Sequence, residues 1–136
     1  MACRNYRDLI VWQKSMSLVE AIYVATSQLP RVEIYGLSTQ MRRAAVSIPC
    51  NIAEGEGRRT RKEFLRFLSI AHGSLRELET QTMIAGRLGY LSPESQSQIL
   101  LSSAEVGRLD NRLVQQAHQP PEALAVLHQP PTALVV

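Results

Sequence analysis

The segment from residue 37 to residue 62 constrains the fold of this 136-residue chain more than any other. It begins with the spacing of an amphipathic helix, carries no charge between residues 44 and 53, and contains Pro49. A proline inside a helix removes a backbone hydrogen bond and costs about 3 kcal/mol. Compensating packing is needed, so the pattern predicts a helix buried on more than one side. Two glycines and a run of basic residues follow, which predict an exposed, charged turn.

The periodicity of apolar residues predicts four helices, two of them before the basic run. The first follows Asp8, its predicted N-cap, and ends before Pro30. Its predicted inward residues recur three and four positions apart and are Leu9, Trp12, Met16, Val19, Tyr23 and Thr26. The second helix begins near residue 37, and its predicted inward residues are Leu37, Met41, Ala45, Ile48 and Ile52.

The last two helices have clear start signals. Thr60 and Glu63 have the spacing of a capping box, in which each side chain binds a free backbone N–H, and Gly89 ends this third helix. The fourth begins at Ser92–Glu94 with a cap, a proline and an acidic residue. The predicted inward residues are Phe64, Leu68, Ala71, Leu75, Leu78, Thr82 and Ala85 in the third helix and Ile99, Val106 and Leu113 in the fourth. Short connections predict an all-α, antiparallel up-down-up-down four-helix bundle.

The chain divides into a bundle domain, residues 1–117, and a proline-rich tail, residues 118–136. The tail repeats a unit that starts at His118 and again at His128, and its paired prolines cannot continue a helix. A ligand for a proline-binding module and a flexible, loosely docked segment are the two interpretations. The only two cysteines, Cys3 and Cys50, predict no disulfide framework, and the sequence shows neither a signal-peptide pattern nor a membrane-span pattern. We therefore expect a reduced, cytoplasmic protein without membrane contact.

Five of the fifteen basic residues fall within nine positions at the start of the third helix. These candidates for nucleic-acid binding are Arg58, Arg59, Arg61, Lys62 and Arg66. Free backbone N–H groups and the helix dipole also attract phosphate there. The basic run itself offers no aromatic residue for base stacking, so binding would use the phosphate backbone and depend on salt. The alternative is an ordinary solvated helix start.

A second pattern follows one stripe of the second helix. Its members are Gln40, Arg43, Ser47, Asn51, Glu54 and Arg58. They could form a polar pocket with an enzymatic role, but the favoured interpretation is a structural network in which Arg43 and Glu54 compensate each other or charges on neighbouring helices. We predict no catalytic residue, metal ligand or cofactor, because His72 stands without the Glu-x-x-His pairing of a dimetal site. Gly73 and Gly86 inside the third helix predict close approach of a neighbouring helix.

Several strings, in order along the chain, resemble a known family. They are Asp8-Leu-Ile-Val-Trp-Gln13, Tyr35-Gly-Leu-Ser-Thr-Gln40, Arg42-Arg-Ala-Ala-Val-Ser-Ile-Pro-Cys-Asn-Ile-Ala-Glu-Gly55, Gly57-Arg58, Phe67-Leu-Ser-Ile-Ala71 and Gly73-Ser-Leu-Arg-Glu-Leu-Glu79. The chain is similar to the four-helix-bundle proteins encoded by intervening sequences of 23S rRNA genes. The same family includes the accessory variability determinants of diversity-generating retroelements. The resemblance covers about two thirds of the chain, and the proline-rich tail departs from it.

The resemblance implies a homopentamer of four-helix bundles. In the retroelement branch it also implies RNA or DNA binding and a reverse transcriptase as partner. We therefore expect a non-enzymatic, oligomeric protein that binds nucleic acid through the basic run. The alternative is a structural or protein-binding module that leaves the chemistry to its partner.

Helix two also presents an apolar set beside its inward face. Val46, Pro49 and Ala53 lie on another side of the helix, where only Arg42 is charged. In an isolated bundle this side is expected to face water, and an exposed apolar patch tends to mark an interface. The sequence thus predicts that helix two contributes to an oligomer contact.

Overall fold

A computed structural model describes residues 5–119 of the chain. Its α-helices are α1 (Ile10–Thr26), α2 (Leu37–Gly57), α3 (Arg61–Arg87) and α4 (Pro93–Ala117). Two short 3-10 helices, Tyr6–Asp8 and Arg31–Glu33, precede α1 and α2 respectively. Each helix packs on the next along the chain, and α4 closes the bundle against α1. The described residues contain no strand, which confirms the predicted all-α four-helix bundle.

Pairs of facing residues give the direction of neighbouring helices. Between α2 and α3, Gly55 lies against Phe67 and Ser47 against Ser74. Between α3 and α4, His72 lies against Asp110. From Phe67 to Ser74 the residue numbers on α3 rise, while those of the facing α2 residues fall from 55 to 47. Helices α2 and α3 are therefore antiparallel. The arrangement agrees with the short connections read from the sequence.

Helices α2 and α3 approach each other closely at Gly55. A Cβ atom placed on Gly55 would lie 2.7 Å from the Cβ of Phe67, so only glycine permits this separation. Gly73, by contrast, has open space around it, and the prediction that a close helix explains it is wrong. Gly86 does lie against the Gln96 side chain of α4. Close packing therefore accounts for two of these glycines and not for the third.

The ends of α3 and α4 follow the predicted signals, except for one bond of the capping box. The side chains of Thr60 and Ser92 cap α3 and α4 by accepting bonds from the third following N–H. In the described residues, the Glu63 carboxylate binds Arg66 rather than completing the capping box. Gly89, at φ +77°, ends α3 in a left-handed conformation. The Tyr90 N–H then binds the Ala85 carbonyl, which is the six-to-one bond of a Schellman motif.

Helix α1 is turned by about one residue from the predicted orientation. Leu9, not Asp8, occupies the N-cap position, and Asp8 lies in the preceding 3-10 helix. Met16 and Tyr23 are exposed. The buried residues of α1 are Val11, Ser15, Leu18, Ile22, Ala25 and Thr26. Ser15 is buried at little cost in free energy because its hydroxyl donates to the Trp12 carbonyl. Because Ser15 is polar, the search for apolar periodicity did not identify the row of residues that contains it as the inward face.

Helix α2 is buried on two sides, as the internal proline predicts. Its core positions include Met41, Ala45, Ile48 and Ile52, and Pro49 is buried as well. Arg42 reaches Thr26 of α1, so the stripe that continues to Pro49 faces α1. The expectation that Pro49 lies on an exposed surface is therefore wrong. Val46 and Ala53 are half-buried within the same chain, which leaves no continuous exposed apolar face there.

Two further predictions concern the proline-rich tail and membrane spans. The proline-rich tail lies outside the described residues apart from His118 and Gln119, which follow α4. Among residues 5–119, no helix is long and apolar enough to cross a bilayer.

The glycines of α2 and α3 provide a matched pair of substitutions. Gly55→Ala should destabilise the bundle by about 1–3 kcal/mol, because the new methyl group collides with Phe67. Gly73→Ala has open space and should stabilise α3 by roughly 0.5–1 kcal/mol. Urea denaturation of both variants measures the difference. Equal effects of the two substitutions would contradict the close contact between α2 and α3.

Candidate nucleic-acid interface

The five basic candidates surround the turn that joins α2 to α3. Helix α2 ends at Gly57, Arg58 adopts an extended conformation, and Thr60 caps α3. The chain thus reverses within three residues, and the candidate side chains lie on both sides of the reversal. All five are exposed: Arg58, Arg59, Arg61, Lys62 and Arg66.

Two of these arginines are held by the protein itself. Arg58 pairs with Glu54 at 2.9 Å, and Arg66 pairs with Glu63 at 3.2 Å. Both guanidinium groups also lie over the Phe67 ring, 5.2 and 4.5 Å from its centroid. The hydrogen bond from Arg66, with smaller Coulombic contributions, lowers the pKa of Glu63. These contacts stabilise the turn and leave the two arginines less available to a ligand.

The other three candidates differ in their freedom. Arg61 donates to the backbone carbonyl of Gln119 at 3.2 Å, which ties the start of α3 to the end of α4. Arg59 and Lys62 form no hydrogen bond or ion pair within residues 5–119. Residues 54–66 contain five basic and three acidic side chains, so the segment carries a net charge of +2. The unpaired charge is therefore concentrated on Arg59 and Lys62.

The backbone adds to this local positive potential. Helix α3 has 27 residues, and its first turn begins immediately beside the two unpaired cations. The first N–H groups of a helix have no partners within the helix and carry a partial positive charge. Thr60 satisfies one of them, the N–H of Glu63, at 3.2 Å. The Glu63 carboxylate offsets part of the field, so an incoming anion meets mainly the side chains of Arg59 and Lys62.

The polar stripe of α2 divides into separate contacts instead of forming a single network. Ser47 bonds to Ser74 of α3 at 2.7 Å, and Asn51 donates to the Ser47 carbonyl and hydroxyl. The predicted compensation between Arg43 and Glu54 is wrong, because Glu54 pairs with Arg58 one turn away. Arg43 is exposed. The stripe thus links α2 to α3 in its middle and exposes charges at its ends.

Sequence reasoning missed a buried acidic residue in α4. Asp110 is 3% exposed, and its Oδ1 atom has no hydrogen-bond partner among the described residues. His72 of α3 is the facing group, with Nδ1 3.8 Å from Oδ2 of Asp110. Burial raises the pKa of Asp110 to about 7. The seven-residue recurrence through Val106 and Leu113 placed this face of α4 inward, and that signal could have identified Asp110 as buried.

The geometry does not assemble a metal site. Within residues 5–119, no group of three or more His, Cys, Asp or Glu side chains is placed to hold an ion. His72 faces a single carboxylate.

Comparison with known proteins identifies the family. A family model described as 23S rRNA-intervening sequence protein matches residues 7–112. The chain belongs to this family. The match includes α1, α2 and α3 and most of α4, and it confirms the family that the sequence resembles.

A solved structure agrees with this assignment. The chain is similar to a Bacteroides thetaiotaomicron VPI-5482 protein of unknown function from the S23 ribosomal protein family, with a TM-score of 0.73 and 26% identity. The similarity covers 78% of this chain and 99% of that one. Comparison with curated proteins gave no match.

The buried carboxyl group predicts a pH dependence of stability in this member of the family. Asp110 keeps its proton up to about pH 7 in the folded protein, whereas an unfolded Asp ionises near pH ~4. The unfolded state releases its proton first, so this group's contribution to stability is present below about pH 4 and is lost as the pH rises towards 7. Asp110→Asn should therefore be neutral near pH ~4 and stabilising near pH ~8, by up to about 4 kcal/mol.

Urea denaturation at several pH values gives this difference directly. Replacing the facing imidazole in His72→Gln should leave the gain from Asp110→Asn in place, because burial and not His72 raises the pKa of the carboxyl. A gain that vanished in the His72→Gln background would show that the imidazole causes it.

Proposed function

We propose that this protein is a non-enzymatic helical bundle that binds the phosphate backbone of RNA or DNA at the turn between α2 and α3. One observation carries the proposal: Arg59 and Lys62 are exposed and form no hydrogen bond or ion pair within the described residues. Side chains of this kind supply the electrostatic part of nucleic-acid binding by displacing counterions from phosphates. The cysteine content is consistent with action in the cytoplasm.

The same geometry defines the mode of binding. The Phe67 ring is 5% exposed and covered by the Arg58 and Arg66 guanidinium groups, so bases cannot stack on it. Contacts of Arg59 and Lys62 with phosphate carry no sequence information by themselves. Binding is therefore salt-sensitive and selects weakly among sequences.

The proposal includes a homo-oligomer, for which the family resemblance suggests five copies. Several copies of a weak phosphate site on one nucleic acid raise the overall affinity without new contacts. Burial of Pro49 within the chain argues against α2 as the oligomer contact. The segment between α1 and α2 instead exposes Val32 by 82% and Tyr35 by 96%. Large apolar residues exposed together are a feature of protein interfaces.

The exposed pair also supports the second candidate function. A protein-binding module, for example a partner of a reverse transcriptase in the retroelement branch, would use Val32 and Tyr35 for another protein and would not need Arg59 and Lys62. Nucleic-acid binding would need Arg59 and Lys62, whereas protein binding would need Val32 and Tyr35. These two pairs lie at opposite ends of the bundle, so separate substitutions distinguish the two functions.

Arg59→Gln together with Lys62→Gln should weaken binding to short RNA and DNA duplexes irrespective of their sequence. The slope of log affinity against log salt should fall by up to about 0.9 for each phosphate that the variant no longer neutralises. Fluorescence anisotropy over a range of salt concentrations measures both quantities. The matched control is Arg31→Gln with Arg87→Gln, which removes the same charge at the opposite end of the bundle and should change binding less.

If both double variants lost the same affinity, the loss would be explained by the lower net charge alone. That result would contradict a binding site at the turn. Circular dichroism verifies that both variants remain folded. Absence of nucleic-acid binding by the wild-type protein at low salt would favour the protein-binding module.

Val32→Ser together with Tyr35→Ser should reduce the assembly to smaller species while helicity is kept. Both side chains are almost fully exposed in the single chain, so their removal costs the fold little and takes apolar area from the interface. Multi-angle light scattering reports the mass. Leu101→Ser, an exposed apolar residue on α4, is the control and should leave the mass unchanged. A monomeric wild-type protein would refute the oligomer.

A further inference from the structure

A second basic site lies on the outer surface of the bundle between α1 and α2. It is an open groove of about 480 Å³. The residues that line it are Tyr23, Thr39, Arg42, Arg43, Val46 and Ser47. This lining contains two arginines and no carboxylate. Its charge is thus suited to an anion.

The first arginine of the groove is held in a fixed orientation. Arg42 Nε donates to the Thr26 hydroxyl at 2.8 Å, and that hydroxyl donates to the Ile22 carbonyl at 2.7 Å. The Arg42 guanidinium also lies over the Tyr23 ring, 4.6 Å from its centroid. Neither contact uses a carboxylate, so the positive charge is oriented without being neutralised. A guanidinium fixed in this way loses little side-chain entropy when it binds a planar or tetrahedral anion.

The second arginine is free to meet a ligand. Arg43 is exposed and has no hydrogen bond or ion pair within residues 5–119. The one acidic residue of α1, Glu20, is exposed and does not line the groove. Arg42 and Arg43 line one groove that has no carboxylate, so an anion there offsets two positive charges.

The remaining lining indicates what accompanies the anion. Tyr23 is 44% exposed beside the guanidinium that covers part of its ring. Val46 adds an apolar contact on the α2 side. An aromatic ring next to two arginines suits a ligand with a flat apolar part attached to a phosphate. Nucleotides have this combination.

We propose that the groove between α1 and α2 binds the phosphate group of a nucleotide, either free or within a nucleic-acid strand. Arg43 supplies the mobile charge, Arg42 the fixed charge and the exposed part of Tyr23 the aromatic contact. Arg43 precedes Arg58 by fifteen residues, which at ~1.5 Å per residue separates the groove from the turn by about 22 Å. The two sites therefore contact different phosphates, and the groove does not depend on the proposed function of the turn.

The test uses the full-length protein with three probes: inorganic phosphate, AMP and a short fluorescent oligouridine. Calorimetry measures the first two and anisotropy the third. Arg43→Gln should weaken AMP and oligouridine binding at least tenfold, which corresponds to about 1.4 kcal/mol. Tyr23→Phe keeps the ring and should retain affinity, whereas Tyr23→Leu should weaken AMP binding more than phosphate binding. Arg108→Gln, which replaces an exposed arginine of α4, is the charge control and should bind like wild type.

The outcomes separate the groove from the turn. Loss of AMP binding in Arg43→Gln, with AMP binding retained when Arg59 and Lys62 are both replaced by Gln, supports the groove. Binding of oligouridine but not of AMP, still dependent on Arg43, assigns the groove to a strand rather than to a free nucleotide. Unchanged affinity for all three probes in Arg43→Gln, or no binding by wild type, overturns the inference whatever the turn binds.

Discussion

The contact of Gly55 with Phe67 determines the arrangement of side chains at the turn between α2 and α3. Because Gly55 has no side chain, α2 and α3 approach closely just before the chain reverses between them. The approach buries Phe67, and its ring becomes the surface on which Arg58 and Arg66 lie. The contacts with the Phe67 ring and the two ion pairs, Arg58–Glu54 and Arg66–Glu63, thereby stabilise the turn. Arg59 and Lys62 are left at its outer edge.

At this turn, some basic side chains bind other groups of the protein and others have no partner among the described residues. A count of basic residues gives five at the turn, but two of them neutralise carboxylates and one binds a backbone carbonyl. Surface ion pairs contribute little to stability on their own. Here their consequence is geometric, because they remove charge from one part of the cluster and concentrate it in another. At the α1–α2 groove, stacking and a hydroxyl hold Arg42 without neutralising it.

Asp110 shows the opposite use of a charged group. A carboxyl group buried without a full set of hydrogen bonds is unfavourable when ionised, and the protein accommodates it by keeping it protonated. The facing His72 is close enough to interact but too distant for a hydrogen bond at 3.8 Å. The seam between α3 and α4 is therefore less favourable at neutral pH than its apolar residues alone would make it. The bundle tolerates this because its remaining core is aliphatic and closely packed.

The sequence by itself determined the elements of this fold. Caps at Thr60 and Ser92, the glycine after α3 and the apolar periodicity are local signals, and local backbone chemistry decides where helices begin and end. The family strings, which the family model confirms over residues 7–112, also lie in the sequence alone. The basic run at the turn was visible for the same reason, since its residues are neighbours in the chain.

Only the tertiary structure decided which way each helix faces and which charges are free. Two adjacent stripes of α1 are apolar, and contact with both α2 and α4 selected the one that includes Ser15. Pro49 is buried because α2 packs against both α1 and α3. The periodicity of apolar residues in one helix does not predict how many neighbouring helices cover it. The pairing of Arg58 and Arg66, the freedom of Arg59 and the burial of Asp110 depend on distances between side chains. Such distances exist only once the helices have packed.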